Sequence, residues 1–175
     1  MWMVEYSGRR DLRFVRQHRG GLLDETDHRL LASWAADCAE HVLPLFGAKY
    51  PGDERPKCAI KTARAWARGE ATVNEAREAA CAAHAAARSV SDAVAREVAR
   101  AAGHAVATAH MADHELGAAM YAIRAVQLAA SSGEVDAAGE QECQWQRQQL
   151  PEAIRDLVLS DERLRNKKLG WVFTE

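Results

Sequence analysis

Apolar residues along this chain recur mostly at intervals of three, four and seven, the spacing that lines one face of a helix. Leu30, Leu31, Trp34, Cys38, Val42 and Phe46 form the first such series. It predicts a helix whose start is capped by Asp24 or Thr26, and Pro44 should shorten or kink its end. The run from Gly47 to Pro56 includes Pro51 and Gly52 and reads as a loop. Pro56 then suits the first turn of a second helix, ending near Gly69, with Ile60, Ala63, Trp66 and Ala67 on one side. Thr72 caps a third helix that reaches Arg88, with Ala76, Ala80, Ala83 and Ala87 along one stripe. Ser91 and Asp92 start a fourth.

The pattern from Ser91 to Ser131 is the one the rest of the chain packs around. Val98, Ala105, Ala112, Ala119 and Val126 recur every seven residues, Leu116 and Ile123 extend their face, and His110, His114, Gly117 and Tyr121 form a second stripe. An unbroken helix there would be about 60 Å long, against a radius of gyration of about 16 Å for a compact chain of this size. A break is therefore expected between Thr108 and His114, with Asp113 capping the second half. Beyond it, 131–139 reads as a loop and Ala137 to Gln149 as a helix. Pro151 opens a further helix ending near Ser160, Asp161 to Lys168 adds a short turn, and Trp171, Val172 and Phe173 fold back onto the body. Residues 1–23 read as an extended basic arm, anchored by Trp2, Phe14 and Val15. The expectation is an all-α, single-domain bundle of about six or seven helices over 24–175, with a buried central pair rich in alanine and histidine.

Composition sharpens this in two ways. Hydrophobic residues make up 48% of the chain but aromatics only 6%, so alanine supplies close helix approach while Trp34, Trp66, Trp145, Leu43, Phe46 and Tyr121 carry most of the burial. A formal charge of −2 argues against a dedicated nucleic-acid binder, and the arm RRDLRFVRQHRGG lacks the basic–aromatic interleaving of a stacking surface. The N-terminus is too charged for a secretory signal, and no apolar run approaches a membrane span. A cytoplasmic protein is expected, with Cys38, Cys58, Cys81 and Cys143 as reduced, mostly buried thiols.

Three constellations are candidates for chemistry. His110 and His114 are spaced i, i+4, the spacing of helical zinc pairs, and with Asp113 would suit zinc or iron. No glutamate stands between them as a metalloprotease base. His104 joins them only if the break re-aims it, and His84 could approach from the third helix. The competing reading makes each imidazole a hydrogen-bonded member of the alanine core. Arg64, Arg68, Arg77 and Arg88 could converge on a carboxylate or phosphate, or pair with Glu70, Glu75 and Glu78 at the surface. Cys81 lies one turn before His84 without the electropositive setting that a nucleophilic thiol needs. No phosphate loop or dinucleotide fingerprint is present, and no catalytic residue can be assigned.

Six blocks carry a resemblance over nearly the whole chain: 10–21, DHRLLASWAADCAEHVLPLF (27–46), ARAWARGE (63–70), AAHAAAR (82–88), GHAVATAHMADHELGAAMYA (103–122) and ECQWQRQQLPEAIRDLVLSDERLRN (142–166). In sequence and order they resemble a bacterial family of immunity proteins, the fifth-class immunity-like group of toxin/immunity systems frequent in actinobacteria. The resemblance implies a non-catalytic protein that binds and neutralises a cognate protein toxin or small toxic molecule, without cofactor. The reading from a different class is a small-molecule-binding or metal-dependent enzyme with a pocket lined by Trp66, Arg68, His84, Arg88, His104, His110 and His114. A homodimer is compatible with the pattern and not demanded by it.

Overall fold

Residues 10–174 are described by a computed structural model; Trp2, one expected anchor of the arm, lies outside the described residues. Among these residues the fold is all-α. Its helices are α1 (Glu25–Gly47), α2 (Arg55–Ala67), α3 (Val73–Ser89), α4 (Ala93–Ala107), α5 (Glu115–Ala129), α6 (Val135–Gln148) and α7 (Glu152–Arg165). Among the described residues no helix is long and apolar enough to cross a membrane.

Local chemistry sets most of the starts. Asp24 accepts from the Asp27 backbone N–H at 2.8 Å and caps α1, and Asp92 does the same for α4 through Ala95 N at 2.8 Å. Thr72 and Glu75 form a reciprocal capping box at the head of α3. Pro44 sits inside α1, which runs on to Gly47.

The long pattern does break where its length requires. α4 stops at Ala107, and a 3-10 turn over Ala112–His114 leads into α5. Asp113 is not the cap. His114 occupies that position without a capping hydrogen bond, because the 3-10 turn runs directly into the helix. Further corrections lie near the ends. α6 begins two residues early, at Val135. α7 runs through the expected separate turn to Arg165, since the inward-facing Asp161 and Glu162 are paired with Arg165 and Arg147.

The arm is not extended from Arg10 onward. It makes two 3-10 turns, Leu12–Phe14 and Gln17–Arg19, and doubles back. Leu23 N donates to Val15 O at 2.9 Å and Gln17 N to Leu23 O at 3.0 Å. Gly20 takes a left-handed φ of 83°, and a Cβ on Gly21 would lie 2.5 Å from Val15 Cβ, so the reversal depends on both glycines. Phe14 and Val15 are buried anchors, as expected. At the other end Val172 and Phe173 are buried while Trp171 is exposed.

α4 is the centre of the bundle, packed against α1, α2, α3 and α5. Ala95, Val98, Ala99, Ala102, Ala105 and Val106 are all fully buried on it. A second core joins Leu31, Trp34 and Cys38 of α1 to Leu116 and Ile123 of α5 and Ile154 and Val158 of α7. Of the large side chains expected to carry the packing, Trp34, Phe46 and Trp66 are buried, whereas Tyr121, Leu43 and Trp145 are partly so. Two of the four thiols (Cys58 and Cys81) are exposed, and none is paired.

Candidate functional site

The histidines separate into two groups. His84, His104 and His114 form a ladder across α3, α4 and the entry to α5. Ring centroids are 5.4 Å apart for His84–His104 and 5.0 Å for His104–His114, both edge-on. His104 and His114 bring their Nδ1 atoms to 3.1 Å, so one ring donates and the other accepts. That bond exists only while at least one ring keeps an unprotonated nitrogen. Burial, with His114, His84 and nearby arginines adding repulsion, pushes His104 down to about 3. His114 and His84 are also lowered, chiefly by burial.

Two glycines make room for this ladder. A Cβ on Gly103 would lie 2.6 Å from His84 Cε1, and one on Gly117 would lie 2.8 Å from His104 Cγ and nearer still to its Nδ1. Replacing an interior helical glycine by alanine normally stabilises by about 0.5–1 kcal/mol. At Gly117 the sign should invert, because the whole His104 ring must move. Gly117→Ala is expected to destabilise by about 1–2 kcal/mol, the cost of overpacking less the propensity gain. Its urea midpoint should fall below that of the unsubstituted protein; an unchanged or raised midpoint would show that the rings tolerate the methyl.

The second group faces a cavity of about 150 Å³ between the arm, α1, α2, α3 and the turn after α4. Phe14, His28, Trp66 and Ala112 are buried there, and His110 contributes its ring. His28 donates from Nε2 to Thr108 O at 2.7 Å, leaving Nδ1 as an acceptor 3.4 Å from the Arg16 guanidinium. Burial pushes His28 down to about 4. Its ring lies 4.7 Å from that of Trp66. Val15, Val73 and Ala109 also line it, and the remaining lining is basic: Arg10, Arg16, Arg19, Arg77 and His18, with no aspartate or glutamate among the described residues.

The expected site residues are thus only partly brought together. Trp66 and His110 line the cavity, whereas His84 and His104 belong to the ladder. Arg68 is exposed and pairs with Glu70 at 2.7 Å, Arg64 pairs with Asp37 at 2.8 Å and Glu40 at 2.5 Å, and Arg88 is exposed. Of the four arginines only Arg77 reaches the cavity, where it meets Arg10 and Arg16 from the arm. His110 and His114 are 5.5 Å apart between ring centroids, but not as successive turns of one helix, since both lie in the broken segment. Asp113 faces Arg10 at 3.6 Å. Among the described residues no group of three or more His, Cys, Asp or Glu side chains is arranged to hold a metal ion.

Sequence reasoning missed a buried ionic cluster beside this region. Arg165 contacts Glu115 at 3.2 Å, bonds Asp161 closely, and donates to Asp113 O at 3.0 Å. Glu115 is fully buried. Burial pushes its carboxyl well above the usual range, against the pull of Arg165 and with Asp161 adding repulsion. The available signal was an acid directly preceding the apolar run Leu116–Met120. A polar chain also crosses the second core: Trp34 Nε1 donates to Gln146 O at 2.8 Å, and Gln146 Nε2 to Ala119 O and to Glu142, each at 3.1 Å. Glu142 bonds His41, which stacks on Trp145 with centroids 3.6 Å apart.

Fold and geometry define an all-helical protein with self-contacting central imidazoles and a separate arginine-ringed cavity. Searches of the curated proteins and of the solved structures each return no match. A family model does match, over residues 21–153, and the chain belongs to that family, described as Imm-5 like putative immunity protein. The lining residues His28, Trp66, Arg77 and His110 fall within the match, and the arm residues Arg10, Phe14, Arg16 and Arg19 precede it.

Proposed function

We propose that the protein acts without catalysis, binding a cognate toxin in the cytoplasm of a bacterial cell and neutralising it through complementary shape and charge. Membership of the immunity family carries this reading. The interior is in keeping with it: His104 and His114 hydrogen-bond each other and His84 packs edge-on against His104, an arrangement that serves packing. The partner is a protein toxin or a small toxic molecule.

The test is a survival assay. The open reading frames that flank this gene are expressed one at a time in a susceptible bacterial host, with and without this chain, and the product of any that proves toxic is purified and titrated calorimetrically against it. Protection together with saturable binding is the expected result. Full toxicity in the presence of folded chain, with no binding heat, would reject the reading.

A further inference from the structure

We propose that the cavity beneath the N-terminal arm is a binding site for a small organic oxyanion, a carboxylate or phosphate ester, held by Arg77 and Arg16 over the Trp66–His28 floor. The inference goes beyond toxin neutralisation and does not rest on it.

Charge is the first argument. Four guanidinium groups (Arg10, Arg16, Arg19 and Arg77) line one cavity whose wall contains no carboxylate among the described residues. Several arginines elsewhere are held closely by acids, Arg64 by Asp37, Arg147 by Glu162 and Arg165 by Asp161, although others at the surface, such as Arg88, enter no ion pair among the described residues. At the cavity the compensation is weaker. Among the described residues Arg10 has only Asp113 at 3.6 Å, and Arg16 only the exposed Glu25 at 3.3 Å. Arg77 and Arg19 enter no ion pair among the described residues. Guanidinium groups gathered at a concave surface concentrate positive potential there and match the planar or tetrahedral geometry of an oxyanion.

The floor is the second argument. Trp66 is 9% exposed, His28 4% and Phe14 2%, so beneath the basic rim the cavity is aromatic. Few convergent polar groups above an apolar floor are the usual make-up of a small-molecule site. His28 is itself locked, bonded to Thr108 O on one side and set against Arg16 on the other. His110 contributes a ring whose Nδ1 is buried without a hydrogen-bond partner. At about 150 Å³ the space fits a phosphate or a carboxylate on one small ring, and not an extended chain.

The experiment is calorimetric titration of the full chain with inorganic phosphate and with benzoate, at ionic strength held constant with sodium chloride. At least one probe should bind saturably at one site. Arg77→Gln should weaken it about tenfold, as expected for one charge-assisted hydrogen bond. Arg88→Gln removes the same charge from an exposed position on the same helix and should leave binding unchanged; circular dichroism checks that both variants fold. Heats matching a chloride blank for both probes would overturn the proposal. So would equal weakening by the two substitutions, which would mark the response as general surface charge.

Discussion

Arg165→Met should lower the urea midpoint of unfolding sharply, by about 3–5 kcal/mol of stability, with an unchanged dependence on denaturant. Glu115 is fully buried and Asp161 is 3% exposed, and both face the one guanidinium. Removing it leaves two carboxyl groups without a cation in a site that water does not reach. The loss would be a large share of the roughly 5–15 kcal/mol that holds a domain of this size folded. Replacing Glu115 by Gln instead should cost much less, because burial already opposes the carboxylate charge and glutamine keeps a carbonyl oxygen to accept from Arg165. If Arg165→Met unfolds within about 1 kcal/mol of the unsubstituted protein, the Arg165–Glu115–Asp161 cluster does not hold the fold together in this way.

Acidification from pH 7 to pH 5 should remove stability of comparable size. His28 and His104 are held neutral in the folded chain, at about 4 and about 3 respectively, and would take up protons near the ordinary value of 6.5 once unfolded. A depressed histidine contributes stability that is complete above the unfolded value and is lost as the pH falls toward the folded one. Between pH 7 and pH 5 each contributes a loss of about 2 kcal/mol. His84, His110 and His114 act in the same direction, while the raised carboxyls of Glu115 and Glu162 act against it and offset part of the loss. The groups facing His104 are His84, His114, Arg100 and Arg165, and those facing His28 are Arg10, Arg16 and Glu25. Thermal melts across this range should show the midpoint falling steadily, and His104→Phe should flatten part of the fall. A melting temperature constant from pH 7 to pH 5 would contradict neutral, buried imidazoles.

What the sequence discloses of this protein is what depends on near neighbours. The Thr72–Glu75 box, the Asp92 cap and the alanine stripe of α3 all involve residues within a few turns, so periodicity and capping chemistry locate them. The break after α4 is legible for a different reason, since a straight helix would outrun the bundle. The same break undoes the i, i+4 argument for His110 and His114, which assumed helix where the chain turns. Pairings between distant segments stay hidden. Nothing local joins Arg77 on α3 to Arg16 on the arm, or Arg165 to Glu115. For the same reason the sequence leaves Arg64 and Arg68 open between a ligand and surface pairing; it offers Glu70 as a partner, but not Asp37 and Glu40 on α1.

The doubled-back segment before Gly21 supplies Arg10, Arg16 and Arg19 to the rim and Phe14 to the floor, while Trp66, His28 and Arg77 come from helices within the family match. The compartment is therefore composite. Clipping away the leading strip would unroof it and strip an aromatic wall in one stroke, so its chemistry and the seating of that strip stand or fall together.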